Sequence, residues 1–387
     1  MKLVRHLILG LIWSASAADA ADDPRIAARK AQREQMVQVA GKARALSKEM
    51  PEELKQLPVF GEIEWVVETM PFIAPGPHGG VSGGGMVVVD GRIYYVGGFI
   101  PAGDGSDEPG NRTSRWAHIY DPQTDQWTPL PDLPARREYT RAIATDDAVY
   151  VTGGFAQGKP GMPAAEVFCL KVREQPLKWQ PVASLNVPRS HPASDRVGNA
   201  LIVAGGNRYD IAEKGYSAKT IQSVTELLDL DQPASKWRTM LSIPGTPRGW
   251  CASAVLNERF YMLGGVTWTA KARERLKECL CFDPKTNEWS ALAEFPTPIS
   301  GWEGSPYAGR YIITVGGAGA RWNDVAFVYD TQENRWMRCA GALPPGGVFN
   351  DPGVCIIGDR IYVAGGEGPG GSHFDHFLVG TIKPLKP

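Results

Sequence analysis

The chain has 387 residues and a formal net charge of −1, a balance that gives no electrostatic case for nucleic acid or an anionic membrane surface as a partner. It carries 44 glycines, 31 prolines and 12 tryptophans. That combination predicts many short strands joined by tight turns, with large aromatics filling the space between sheets.

The first twenty residues have the form of an export signal. Lys2 and Arg5 make a positive start, residues 7–13 a short apolar core, and Ala15-Ser16-Ala17 and Ala18-Asp19-Ala20 offer two cleavage sites. The apolar run is too short to span a bilayer, and nothing later in the sequence is long and apolar enough to do so. The expectation is a signal peptide over 1–20 and a periplasmic or secreted mature protein. A leader occupies 21–58. Within it, residues 26–50 are rich in Ala, Lys, Arg, Glu and Gln, with apolar positions at Met36, Val37, Val39, Ala40 and Ala43. That pattern predicts a surface helix ended by Pro51, either solvated or capping one mouth of the domain C-terminal to it.

From residue 59 to 387 the sequence repeats. A double glycine preceded by a short β-branched and aromatic run occurs six times, at Gly97-Gly98, Gly153-Gly154, Gly205-Gly206, Gly264-Gly265, Gly316-Gly317 and Gly365-Gly366. Each run has strand composition, and the glycines end it where backbones approach closely or take positive φ. A tryptophan follows each of the first five pairs, at Trp127, Trp179, Trp237, Trp289 and Trp336. Ahead of three of them stands an aromatic-Asp turn, at Tyr120-Asp121, Phe282-Asp283 and Tyr329-Asp330. Double glycine, aromatic-Asp turn and tryptophan at a period of about 50 residues are identified as the kelch repeat. The resemblance implies an all-β, six-bladed kelch-type β-propeller with four strands per blade. The sixth double glycine is followed by only enough chain for one more strand. The missing tryptophan strand is then the one around Trp65, so the last blade is expected to close from both termini.

The six cysteines sit singly in strands, or two on one strand face at Cys279 and Cys281, without zinc-like spacing. Most read as small apolar core residues, with a disulfide left open. His373 and His376 are compact but lie near the closing strand, and no metal or other cofactor is expected.

Loops 99–115, 207–223 and 266–277, which follow double glycines, are the long ones, so their face is the expected working face. Sixteen residues before the first glycine of each pair stand Arg137, Arg189 and Arg248 in the second to fourth repeats, and Val81, Ser300 and Phe349 in the others. Three guanidiniums converging at one mouth would hold a carboxylate or phosphate bidentately. Arginine here is also common in kelch repeats that only bind proteins. Trp250 and Trp302, fourteen residues before their glycines, offer flat faces for a sugar ring or pack between blades. Glu303, between Gly301-Trp302 and Gly304, is the first choice for a general acid or base. Asn350, Asp351 and the loop residue Arg321 complete the candidate set, with Glu138, His191 and Glu367 nearby.

An export signal followed by six such blades resembles the bacterial sialic-acid mutarotases, or N-acetylneuraminate epimerases, over residues 60–383. The resemblance implies a periplasmic isomerase that interconverts sugar anomers without a cofactor. Glu303 would move the proton, and Arg137, Arg189 and Arg248 would clamp the carboxylate of a small acidic sugar. The alternative is a non-catalytic propeller binding a protein or polysaccharide. Glu303 discriminates: facing the arginines in the mouth it favours catalysis, and packed in the scaffold it favours binding.

Overall fold

Short β-branched and aromatic runs, each stopped by a turn, pair into antiparallel sheets all along the chain. The computed structural model describes residues 49–73, 80–101, 112–156, 162–209, 216–232, 236–344, 350–368 and 372–385. The expected signal peptide and nearly all of the leader's helix lie outside the described residues. Among the described residues only Glu52–Lys55 is helical, and no helix is long and apolar enough to cross a membrane.

Four separate four-stranded sheets appear in chain order. The first joins Gly85–Val89, Arg92–Val96, Ala117–Asp121 and Gln126–Pro129; the second joins Arg141–Ala144, Ala148–Thr152, Val167–Lys171 and Trp179–Val182. The third joins Ala193–Val197, Ala200–Ala204, Thr225–Asp229 and Arg238–Thr239; the fourth joins Ala252–Leu256, Arg259–Leu263, Cys279–Asp283 and Glu288–Ala291. Two-residue turns with left-handed φ, such as Asp90-Gly91 and Asn257-Glu258, set the hairpin twist.

The expectation of six four-stranded blades needs correction, because only four form as separate four-stranded sheets. The last two repeats merge into one eight-stranded sheet, in the order Ser300–Tyr307, Tyr311–Ala318, Phe327–Asp330, Arg335–Ala340, Val59–Thr69, His376–Pro384, Arg360–Ala364 and Gly353–Ile357. The cause is the closing strand Val59–Thr69. It pairs antiparallel with His376–Pro384, placing Trp65 opposite Gly380, and its first residues run parallel to Arg335–Ala340, with Gly61 beside Cys339. One strand thus covers two edges that would otherwise be open.

The innermost strands, which start at Gly85, Arg141, Ala193, Ala252, Ser300 and Gly353, adjoin one another in cyclic order, first against last. All six line an axial channel of about 270 Å³. The double glycines hold the ring together. In five of the six, the second glycine donates its N–H to a carbonyl in the next repeat around the ring: Gly98 to Arg137, Gly154 to Arg189, Gly206 to Arg248 and Gly265 to Ile299, at 2.8–2.9 Å. Gly366 donates to Val81 at 2.7 Å and closes the circle. The first glycine must lack a side chain, because a Cβ on Gly205 would meet the Arg248 carbonyl oxygen at 2.2 Å. Outside, the indole N–H groups of Trp179, Trp237, Trp289 and Trp336 donate to Pro131, Ala183, Leu241 and Ala293 of the preceding repeat.

Pro51 begins a helix within the described residues, its carbonyl accepting from the N–H groups of Leu54 and Lys55. Leu54 is buried beside Phe327 and Trp336, so the end of the leader packs on the fifth repeat. All six cysteines are buried and free. Burial pushes the Cys251 and Cys339 thiols up to about 12.

Candidate functional site

Strand register superimposes the repeats on one another. Opposite the residue that precedes each double glycine stand Gly85, Arg141, Ala193, Ala252, Glu303 and Gly353. Four of these are glycine or alanine and leave the axis open. The other two are oppositely charged and three repeats apart, so they face each other across the channel. Arg141 and Glu303 form an ion pair there, and Arg141 Nε also donates to the Pro192 carbonyl at 2.8 Å. Burial pushes the Glu303 carboxyl up to about 7, against the opposing pull of the Arg141 guanidinium.

Two residues upstream lies a second ring: Gly83, Tyr139, His191, Trp250, Gly301 and Asp351. Their φ values are 63°, 50°, 50°, 55°, 73° and 48°. This left-handed conformation is strained for the four that carry a Cβ. A chain of backbone hydrogen bonds over-determines it. The N–H groups of Gly83, His191, Trp250, Gly301 and Asp351 donate to Asp351, Tyr139, His191, Trp250 and Gly301 respectively, at 2.7–3.2 Å. Thr140 completes the circle by donating to Gly83 at 3.3 Å. At Gly301 a Cβ would strike the Asn350 side chain at 1.7 Å.

The side chains of this upper ring form the mouth. His191 stacks between Tyr139 and Trp250, with centroids 4.0 and 3.5 Å away. Trp268 and Tyr216, from the long loops, lie 5.2 Å from Trp250. These rings form the apolar half of a recess of about 200 Å³. Asn350, Asp351, Glu367, Arg273 and Arg275 contribute the polar half. The Asn350 amide donates to Asp351 Oδ2 at 2.7 Å and to Glu367 Oε1 at 2.6 Å, linking the two carboxylates. Burial, and then the charge of Glu367, raises Asp351 well above the usual carboxylate range; burial also raises Glu367. Glu138, next to Tyr139 in the chain, accepts from the Thr113 hydroxyl and is pushed up to about 7 by burial. Burial drives His191 well below its ordinary value, which favours the neutral ring.

Of the candidate residues, Trp250, Asn350 and Asp351 meet in this recess. Glu303 lies in the channel, paired to Arg141 and not facing the predicted clamp. That clamp is not assembled. Arg137, Arg189 and Arg248 are 1 %, 0 % and 2 % exposed and run into their own sheets. Arg189 donates to the carbonyls of Val187, Gly205 and Val224 and forms a fully buried ion pair with Glu226. Arg248 donates to the carbonyls of Thr246 and Glu278, and Arg137 to the Arg136 carbonyl and to Glu166. These contacts tie Arg189 and Arg248 to the backbone around their sheets, while the Arg137 Nε is buried without a hydrogen-bond partner.

Trp302 is also a scaffold residue, fully buried with its indole N–H on the Leu263 carbonyl and its ring 4.9 Å from Phe295. Counting back from the double glycine misplaces it. The fifth repeat's hairpin pairs Tyr307 with Tyr311, one turn residue more than the fourth, which pairs Leu256 with Arg259. Trp250 therefore matches Gly301, and Arg248 matches Ile299 rather than Ser300. Arg321 is tied to Asp324 and to the Trp322 carbonyl, beside the recess. Tyr139, Trp268, Arg273 and Arg141 were not anticipated. Only Arg141 had a signal in the sequence, as a charge opening a strand where four of the other five repeats place glycine or alanine and the fifth places Glu303.

A family profile described as the KLHDC2/KLHL20/DRC7 Kelch-repeats domain matches residues 140–366, more than half of the chain, and a Kelch motif matches 81–134. Kelch-like protein terF of Aspergillus terreus is 28% identical over 257 residues, covering 65% of this chain and 51% of that protein. Kelch-like protein 25 of Xenopus tropicalis is 28% identical over 261 residues, 66% of this chain and 42% of its own length. Kelch-like protein 36 of Mus musculus is 24% identical over 279 residues, 70% of this chain and 42% of its own. The matched region is about half or less of each relative.

Proposed function

The chain belongs to the Kelch-repeat family, and on that premise we propose that it is a six-bladed, non-catalytic propeller that docks a partner protein at the aromatic mouth. The eight-stranded sheet then counts as two blades sharing the closing strand. The observation that carries the reading is the recess itself, in which stacked Tyr139, His191 and Trp250 lie beside the Asp351–Glu367 pair on the face of the long loops. Aromatic anchors with a polar rim are what a docking hot spot needs. A sialic-acid mutarotase needs an available acid or base and a carboxylate clamp. Glu303 is committed to Arg141, and the three arginines are committed to the sheets.

A second reading keeps a sugar ligand. It is favoured by Trp268, which is partly open beside carboxylates that burial holds toward protonation. On that reading Asp351 and Glu367, not Glu303, would be the proton carriers.

Peptide and glycan arrays probed with the wild-type chain and Trp268→Ala separate the two. Peptide binding that Trp268→Ala weakens about tenfold or more supports docking. Binding confined to glycans moves the site to the second reading, and binding indifferent to Trp268 removes the mouth from both. Export through residues 1–20 is part of the proposal. N-terminal sequencing of extracytoplasmic protein should begin at Ala18 or Ala21, and an intact Met1 there would refute it.

A further inference from the structure

The recess has an unusual balance of charge. Two carboxylates, Asp351 and Glu367, share the single amide of Asn350 at its floor. The basic groups around them are His373, 3.6 Å from Glu367, Arg141, whose charge acts on Asp351 from the channel, and Arg273 and Arg275, which line the recess. Arg273 lies over the indoles, its Cζ 5.9 Å from the Trp250 centroid and 5.5 Å from that of Trp268. It is exposed and comes from the short hairpin Val266–Trp268 with Arg273–Arg275, which stands outside the four-stranded sheet.

We propose that the mouth recess is a site for a cationic side chain of the partner, an arginine before a lysine, and that Arg273 occupies its aromatic wall until the partner arrives. The inference rests on the docking reading above and names the chemistry the mouth selects. The chain's own guanidinium already demonstrates that the indole wall accepts a cation. What Arg273 does not do is pair with the carboxylate floor. A guanidinium entering from solvent reaches both, stacking on Trp268 and offering two parallel N–H groups to Asp351 and Glu367. Asp351 is buried and Glu367 partly so, and the charge of Glu367 works against ionisation of Asp351, a cost that a cation between them would relieve. An anionic ligand would have to lie against that floor, so the rim arginines alone do not make an anion site.

The test uses the full chain and three capped peptides that differ only at the centre: Gly-Arg-Gly, Gly-citrulline-Gly and Gly-Glu-Gly. Binding is read by tryptophan fluorescence and calorimetry. The arginine peptide should bind about tenfold or more tighter than the citrulline peptide, which has the same shape without the charge. Arg273→Ala, at an exposed position that should not disturb folding, should tighten arginine binding roughly threefold to tenfold by vacating the wall. Asp351→Asn with Glu367→Gln should erase the arginine–citrulline difference. Equal binding of arginine and citrulline peptides overturns the inference. So does tighter binding of the glutamate peptide that Arg273→Ala weakens, since the rim arginines would then be the anchors. If a partner from the arrays needs Trp268 but is indifferent to charge, docking stands and this inference falls. If no peptide binds at all, both fall.

Discussion

Arg189 and His191 are two residues apart on the same lead-in segment, yet their surroundings are opposite. Arg189 is sealed inside its sheet, with Glu226 and three backbone carbonyls as partners. His191 opens onto the mouth, stacked between two aromatic rings. The second and fourth repeats show the same split, Arg137 against Tyr139 and Arg248 against Trp250. In an ordinary strand, residues two apart share a face. Here the second of each pair is left-handed, which breaks the alternation and turns one side chain into the scaffold and the next toward the axis. Charge is therefore a poor guide to the working surface of this ring, and backbone conformation a good one.

The comparison predicts that scaffold and mouth can be damaged separately. Arg189→Ala should cost about 3–5 kcal/mol of stability, because it leaves Glu226 buried without its cation. Chemical denaturation reads that cost. Replacing both partners, as Arg189→Met with Glu226→Leu, should recover much of it, since apolar groups need no counter-charge. Ligand binding at the mouth should survive whenever the protein is folded. A variant that keeps its stability and loses binding would return Arg189 to the mouth and undo the contrast.

A smaller effect tests the latch between repeats. Gly205 and Gly358 have similar left-handed φ, 63° and 58°. A Cβ on Gly358 meets nothing within 4 Å, whereas on Gly205 it meets the Arg248 carbonyl. Gly358→Ala should cost about 1–2 kcal/mol of backbone strain alone. Gly205→Ala adds a steric clash and should cost about 2–4 kcal/mol in all. Equal midpoint shifts in urea would mean that the close approach at the latch contributes nothing.

These contrasts also explain what the sequence made legible. The double glycines, the outer tryptophans and the closing strand at Trp65 repeat at a fixed spacing because every repeat solves the same packing problem. The mouth is where repeats differ, so periodicity says little about it. Trp268 and Arg273 come from a hairpin whose counterparts after Gly154 and Gly366 carry different residues and spacings, and the extra turn residue after Tyr307 shifted the count that made Trp302 look like Trp250. The direction of the three arginines was hidden because the left-handed position after them holds Tyr139, His191 or Trp250, residue types that give no sign of positive φ. Merging of the last two sheets was hidden too, since strand length does not announce a second partner.

The channel, between scaffold and mouth, gives the predicted effect that depends on pH. Glu303 is 9 % exposed and its carboxyl is raised from 4.5 to about 7, so burial outweighs the attraction of Arg141. A carboxyl with a folded pKa above its unfolded one holds its proton more tightly in the native state. Between about pH 4.5 and 7 the native state therefore binds more protons than the unfolded chain, and stability falls as pH rises through that window. Glu303→Gln keeps the shape and removes the titration. The stability of wild type relative to Glu303→Gln should drop by about 1–3 kcal/mol from pH 4.5 to 7 and then level off. Urea unfolding at four pH values measures it. A difference that rises with pH would mean that the cross-channel pair with Arg141 dominates burial, and the bridge would then be a net source of stability at neutral pH rather than a tolerated charge in a ring of glycines and alanines.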